Sequence, residues 1–281
     1  MHTNHFPVLV GVADKQPAAV KYAIAEAERL QRPLRIVHCW VLPTTAAAMY
    51  VVAESLDAMR AGGQIVLDDA KTIVSESDAA LDVEYVMADG SPVNVLSEAA
   101  HRAAALILGS DDVPWFERLL GGEVSGYLAR TVACPVVVVP ERTVPGTGAG
   151  GVVVTIDGDT SAVGPLRYAF EQADARHEPL HVLHAAPGAI LREDFQNHHA
   201  NLAEVVAGWN ELYPDVKVFR STTEGAPAEE CIKATSEASL VVIGRHQGHA
   251  TPFARARPIA MTVLRNAQCP VAVVPLSYGR A

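Results

Sequence analysis

The sequence predicts an α/β protein of two tandem open-sheet domains, each with a five-stranded parallel sheet and helices on both faces. The first observation behind this prediction is an internal repeat. Residues 105–110 (ALILGS) and 132–140 (VACPVVVVP) recur 135 positions later as residues 240–245 (LVVIGR) and 267–275 (AQCPVAVVP). A repeat of this length indicates that one architecture occurs twice in the chain.

The second observation is that the apolar runs consist of valine, isoleucine and leucine without polar alternation. Such runs are typical of strands that are covered on both faces, as in parallel sheets. The third observation is that these runs alternate with helical segments, which predicts right-handed crossover connections. In a sheet of this kind, ligands bind beyond the carboxyl ends of the first and fourth strands, where the direction of winding changes.

In the first copy, the predicted strands begin with residues 7–13, 34–39 and 83–88. The helix between the first two strands carries its apolar residues at helical spacing. These residues are Val20, Ala23, Ile24, Ala27 and Leu30. A long helical tract from about Ala46 to Ser77 follows the second strand, and the Gly62-Gly63 pair is a potential break in it.

The second copy repeats these elements, beginning with a strand at residues 152–157. Residues 32–38 match residues 178–184 at a spacing of 146, whereas Gly90 matches Gly225 at a spacing of 135. The second helical segment is therefore 11 residues shorter in the second copy.

A segment rich in glycine and proline, residues 141–151, separates the copies and is typical of a linker. The predicted domains are therefore residues 1–142 and 150–281. A composition with 49% hydrophobic and 19% charged residues is sufficient for two well-packed cores.

The formal net charge of −10 argues against a general nucleic-acid partner or an anionic membrane surface, because both require a positive field. The sequence shows no secretory leader pattern, and no apolar run reaches the roughly 18 residues of a membrane span. We therefore expect a cytoplasmic protein.

Three groups of residues that could carry chemistry are interpreted as structural. The four cysteines (Cys39, Cys134, Cys231 and Cys269) lack CxxC spacing, and because Cys134 and Cys269 begin core strands, buried free thiols are expected. His198 and His199 point to different sides of a helix, so no metal site is predicted. His38 and His184 occupy equivalent strand ends, which indicates a structural or pocket-lining role. No catalytic triad, nucleophile elbow or P-loop motif is present, and no catalytic residue is assigned.

Taken together, the repeated strand ending in glycine, the Gly-x-Pro before the third helix and the Cys-Pro-Val strand resemble a tandem universal stress protein. The resemblance implies a Rossmann-like fold of the adenine-nucleotide alpha-hydrolase type and a role in stress responses. In nucleotide-binding members, an aspartate at the end of the first strand meets the adenosine. A Gly-x-x-Gly motif, followed after nine residues by Gly-Ser or Gly-Thr, wraps the phosphates through close backbone N–H groups.

The first repeat departs from this pattern. Ala13 stands in place of the aspartate, Gly109 is kept, Asp112 replaces the second glycine, and Gly122-Glu123 replaces the Gly-Ser pair. Carboxylates at phosphate positions repel a triphosphate, at about 4 kcal/mol for each close pair at an effective dielectric constant near 20. We therefore expect that canonical ATP binding is lost in the first repeat.

The second repeat keeps more of the pattern: Asp157 ends its first strand, Ala185 lies where the family contacts adenine, and Gly244 opens the phosphate loop. Its loop is nevertheless altered, because Gln247 replaces the second glycine, Gly248 follows one position late, and Arg257-Pro258 replaces Gly-Ser. The loop is basic, with Arg245, His246, His249, Arg255 and Arg257. These side chains can bind phosphate where backbone donors are missing, or they form a solvated loop that balances acidic neighbours.

Three functions are compared. The preferred hypothesis is a non-enzymatic regulatory or binding protein with degenerate nucleotide loops, and the alternative is a stress sensor that binds ATP or AMP in the second repeat. An enzyme would need a metal-binding carboxylate pair or a base near the phosphate, and the sequence shows neither. The family pattern implies an intrachain pseudo-dimer in which residues 136–139 face residues 271–274. A homodimer and an unidentified protein partner are left open.

Overall fold

A computed structural model describes residues 6–13, 16–41, 53–110, 124–141, 148, 150–156, 163–186, 206, 208–245 and 259–279. The chain divides into two compact units, Met1–Glu141 and Arg142–Ala281. We refer to them as domain one and domain two.

Domain one contains five strands that pair only in parallel among the described residues. The strands are β1 (Val8–Val12), β2 (Leu34–Trp40), β3 (Val83–Asp89), β4 (Ala105–Gly109) and β5 (Val136–Val139). The helices are α1 (Pro17–Leu30), α2 (Ala53–Ser75), α3 (Pro92–Ala100) and α4 (Val124–Thr131). The strand order is β3-β2-β1-β4-β5, so the direction of winding changes between β1 and β4.

Domain two has the same topology, with the strand order β8-β7-β6-β9-β10 and parallel pairing. The strands are β6 (Val152–Thr155), β7 (Leu180–Ala186), β8 (Val218–Glu224), β9 (Leu240–Arg245) and β10 (Val271–Pro275). The helices are α5 (Val163–Arg176), α6 (Pro227–Ala234) and α7 (Ile259–Asn266). The predicted fold class, two tandem parallel sheets of five strands, is confirmed. None of the helices in the described part of the chain is long and apolar enough to cross a membrane.

Four of the described strands are buried along their whole length, which explains their uniform composition. Every residue of β1, β4, β5 and β10 is buried. In domain one, α1 contacts α2, and α3 contacts α4. These four strands therefore have no face on which polar alternation would be stabilising, and valine satisfies both the strand preference and the burial.

Strand register shows which positions of the two domains are equivalent. Val8 pairs with Leu34, and Val152 pairs with Leu180. The first strands are thus offset by 144 residues, whereas the first helices and second strands are offset by 146. The connection from the first strand to the first helix is consequently two residues shorter in domain one.

The backbone at the end of the first helix is also duplicated. Gln31 and His177, at equivalent positions, have positive φ values of 52° and 55°. Both residues therefore end their helices in the left-handed conformation, although neither is a glycine.

Helix α2 corrects one expectation from the sequence, because it continues through Gly62 and Gly63 without a break. Gly63 is buried against the imidazole of His38, and a Cβ atom at this position would lie 2.9 Å from the His38 Cδ2 atom. The second glycine is therefore required for close helix-to-sheet packing. Gly62, one residue earlier, has no atom within 4 Å of the corresponding position.

This difference predicts opposite effects of two adjacent substitutions. Gly62→Ala should raise the free energy of unfolding by about 0.5–1 kcal/mol, because alanine restricts the unfolded chain and creates no contact. Gly63→Ala should lower it by about 1–3 kcal/mol, because the methyl group overpacks against the His38 ring. Urea unfolding of both variants checks this pair, and equal effects would contradict the packing described for Gly63.

Candidate functional site

A small cavity of about 50 Å³ lies at the carboxyl ends of the central strands of domain one. Val12, His38, Cys39 and Gly109 line it from the strands, and Leu96 lines it from α3. A cavity of this size holds a few water molecules. This volume is well below the roughly 300–1,000 Å³ that ligand pockets commonly enclose.

The side chain of Gln16 explains why so little space remains. Its Oε1 atom accepts a hydrogen bond from the backbone N–H of Ala13 at 3.1 Å. Its Cδ and Nε2 atoms lie 2.6 Å from the position that a Cβ atom on Gly109 would take. Gly109 therefore allows a close approach, but the group that approaches is an amide of the same chain.

A carboxylate of the same domain lies at the start of α1. An Oε1 atom of Glu141 accepts a hydrogen bond from the backbone N–H of Ala18 at 3.2 Å, in the first turn of the helix. The N-terminus of a helix carries a partial positive charge and exposes N–H groups, so it attracts anions. In domain one, Glu141 supplies this anion from within the chain.

A larger cavity of about 620 Å³ lies between α1 and α2. Apolar side chains from both helices line it, together with Glu141 and Asp69. Gln16, Val12 and Ala13 line both this cavity and the smaller one. Gln16 therefore separates the small cavity at the strand ends from the larger cavity between α1 and α2.

A histidine fixes the same edge of the sheet in each domain. The Nδ1 atom of His38 lies 2.9 Å from the carbonyl oxygen of Val12, and that of His184 lies 2.9 Å from the carbonyl oxygen of Ile156. Because a carbonyl oxygen only accepts, Nδ1 carries the hydrogen in both rings. The two imidazoles therefore tie the end of the second strand to the end of the first.

The described part of domain two contains three of the residues predicted for nucleotide binding. Ala185 lies in β7, and Gly244 and Arg245 end β9. A Cβ atom on Gly244 would lie 3.1 Å from Pro165 Cγ and 3.4 Å from Leu276 Cδ2, which is less crowded than at Gly109.

The other predicted site residues lie outside the described residues. In domain two these are Asp157, Gln247, Gly248 and Arg257, and in domain one they are Asp112, Gly122 and Glu123. Ala13 is described, and its counterpart by strand register is Asp157. The assignment of these residues to a nucleotide site stays a prediction.

Gln16 and Glu141 have no polar counterparts in domain two. Gln16 directly precedes α1, and Ala162 directly precedes α5. Glu141 follows Pro140 after β5, and Leu276 follows Pro275 at the end of β10. In domain two, the position of a Cβ atom on Gly164 would lie 2.3 Å from the Pro275 carbonyl oxygen. In domain two, the start of α5 therefore packs against the backbone at the end of β10, whereas in domain one the start of α1 contacts the Glu141 carboxylate.

Sequence reasoning missed both Gln16 and Glu141 because neither belongs to the glycine motif. The only local signal was the shortened connection after β1, whose last residue is Gln16. The contact of Glu141 with Ala18 joins residues 123 positions apart, and no local pattern reveals such a contact.

Among the residues that the structure describes, no group of three or more histidine, cysteine or carboxylate side chains is arranged to hold a metal ion.

The sequence model of the universal stress protein family matches residues 6–140 and 150–275, one match for each domain. The chain belongs to the universal stress protein family. The predicted resemblance is thereby confirmed for both repeats.

Individual universal stress proteins extend this similarity over the whole chain. One from Mycobacterium tuberculosis is 31% identical over 224 residues, which cover 75% of this chain and 76% of the relative. A second from the same organism is 29% identical over 284 residues, which cover 95% of each chain. The crystal structure of a universal stress protein from Archaeoglobus fulgidus has a TM-score of 0.74 at 17% identity and covers 96% of this chain and 97% of that one. This structural similarity shows a shared fold.

The cysteine in the wall of the small cavity is expected to be unreactive. Burial raises the pKa of Cys39 from 9.0 to about 12, so its thiolate fraction at pH 8 falls roughly 1,000-fold. Alkylation by iodoacetamide, followed at each cysteine by mass spectrometry, should be slower at Cys39 by a similar factor in the native protein than in urea. Equal rates in the two conditions would show that the thiol is accessible and ionised in the folded state.

Proposed function

We propose that this universal stress protein is a non-catalytic, cytoplasmic regulatory protein whose first domain does not take nucleotide. The observation that carries the proposal is the closure of the strand-end site by side chains of the same domain. Gln16 covers Gly109, and Glu141 caps the first turn of α1. Gly109, which keeps the first glycine of the phosphate motif, is thus covered by a side chain of the same domain.

Opening this site would cost free energy before any ligand contact forms. A nucleotide would have to displace the bond from Ala13 to Gln16, worth about 1 kcal/mol, and the charge-assisted bond from Ala18 to Glu141, worth about 1.5–3 kcal/mol. Asp112 and Glu123, at the phosphate positions of the motif, would oppose binding further by charge repulsion. These terms act in the same direction and support the loss of canonical ATP binding.

The second candidate function is the binding of ATP or AMP in domain two. Ala162 and Leu276 stand at the positions of the two residues that close domain one, so the amide of Gln16 and the carboxylate of Glu141 have no equivalent at these positions. Asp157 supplies the aspartate that the family pattern requires, and Arg245 and Arg257 supply positive charge for a phosphate. In this form the protein would be a nucleotide sensor with one functional site per chain.

Both candidates are regulatory rather than catalytic. The sequence contains no nucleophile motif and no metal-binding carboxylate pair at the predicted phosphate loop. We propose that the protein acts by binding another protein, whose identity is not assigned. The predicted pseudo-dimer of the two domains and the association of two chains stay predictions.

Calorimetric titration of nucleotide-stripped protein with ATP and AMP tests these candidates together. We expect at most one site per chain, and we expect Asp157→Ala or Arg257→Ala to weaken binding at least tenfold. Asp14→Ala is the matched control, because Asp14 follows the first strand of domain one without occupying the equivalent position. It should leave binding unchanged.

The stoichiometry separates the outcomes. Two sites per chain would contradict the closure of domain one. No heat at millimolar nucleotide would remove the second candidate and leave a protein that acts through its surfaces alone. One site that survives Asp157→Ala would show that binding does not use the family pattern.

A further inference from the structure

Two consecutive residues near the carboxyl end of β8 in domain two carry buried hydroxyl groups. The Oγ1 atoms of Thr222 and Thr223 are shielded from solvent and have no hydrogen-bond partner within the described part of the chain. A buried hydroxyl without a partner costs about 1–3 kcal/mol, and folded proteins rarely keep one without a reason.

Strand register places these threonines beside the predicted base-contacting strand. Thr222 is opposite His184, and Thr223 is opposite Ala185 in the parallel pair of β7 and β8. Because side chains alternate along a strand, Thr223 shares a face with Ala185, whereas Thr222 lies on the other face. The domain-one counterpart of Ala185 is Cys39, which lines the cavity at the strand ends.

Domain one has no hydroxyl at either position. The corresponding residues of β3 are Met87 and Ala88, which pair with His38 and Cys39. Met87 packs toward α2, where its Cε atom lies 3.5 Å from the position of a Cβ atom on Gly63. Domain one, whose strand-end site is closed by its own side chains, thus has apolar residues at these two positions of its third strand. Domain two has hydroxyl groups at the same positions.

The distance across the sheet indicates which part of a ligand would reach Thr223. Arg245 ends β9, and the strand order β8-β7-β6-β9 places β8 three strands away. Neighbouring strands lie about 4.8 Å apart, so the two ends are separated by roughly 14 Å. An extended nucleoside monophosphate has this length scale, with its phosphate at one end and the outer edge of its base at the other.

We propose that Thr223 is a base-recognition residue of domain two, whose hydroxyl hydrogen-bonds the exocyclic group of a purine nucleotide bound across the carboxyl ends of the strands. The proposal rests on the nucleotide-binding function proposed for domain two. It assigns the polar end of the base to Thr223 and the phosphate end to Arg245. The ligand class is a purine nucleotide with a polar substituent on the outer edge of the ring.

The test compares two ligands that differ only in that substituent, AMP and purine riboside 5′-monophosphate, which lacks the amino group. Thr223→Val removes the hydroxyl with little change in shape, and it should weaken AMP binding roughly fivefold to tenfold. Binding of purine riboside 5′-monophosphate should be unchanged, and Thr223→Ser should retain most of the AMP affinity.

Thr222→Val is the matched control, because it removes a buried hydroxyl from the same strand on the opposite face. It should leave the affinity for both ligands unchanged. In the absence of nucleotide, both valine variants should unfold at urea concentrations equal to or higher than wild type, because each removes a hydroxyl without a described partner.

Each remaining outcome overturns a defined part of the proposal. If wild type binds AMP and Thr223→Val binds it equally well, the role of Thr223 is wrong while the function of domain two stands. Equal losses for both ligands, or equal losses in Thr222→Val, would indicate a structural effect and overturn the base contact. Lower stability of unliganded Thr223→Val would show that the hydroxyl is already satisfied and would overturn it as well. If wild type binds no AMP, the nucleotide function of domain two fails and this role fails with it.

Discussion

The parallel pairing of the buried central strands is the constraint on which the rest of each domain depends. Val8 to Gly11 pair with β2 on one side and β4 on the other, and every residue of β1 is buried. A shift of this register by one residue would turn each buried side chain to the opposite face. The register is therefore fixed by packing. Because the strands are parallel, the carboxyl ends of all the strands of a domain lie at one edge of its sheet. His38 and His184 then tie the second strand to the first at that edge in both domains.

The two domains have diverged at this edge while their cores have stayed alike. Core positions must be apolar and close-packed, so few substitutions are tolerated there. Polar groups at the strand ends need only a nearby hydrogen-bond partner, and residues of different types can supply one. Domain one uses Gln16 and Glu141 for this purpose, whereas domain two has Ala162 and Leu276 at the equivalent positions. The same fold can thus have strand ends that bond to side chains of their own domain in one copy, and strand ends with other residues in the second copy.

The sequence predicted the fold because the fold depends on local and periodic signals. Uniform valine runs, the repeated Cys-Pro and the glycine at the end of each fourth strand are visible in the chain itself. The continuity of α2 was not predictable, because Gly63 is retained by its contact with the His38 ring rather than by helix preference. The roles of Gln16, Glu141 and Thr223 were missed for a related reason. Each depends on which distant residue is nearby or on whether a hydroxyl is shielded, and residue type alone does not reveal either property.

The shorter connection between the first strand and the first helix of domain one has a consequence for how the two copies can evolve. Replacing Ala13 by aspartate would restore one residue of the family pattern, but the connection would still be two residues shorter than in domain two. Recovery of the other geometry would require an insertion and several substitutions at once, and each step alone would disturb the contacts of Gln16. Such a change is far harder to reverse than a point mutation. A single substitution therefore cannot convert the first connection of domain one into that of domain two.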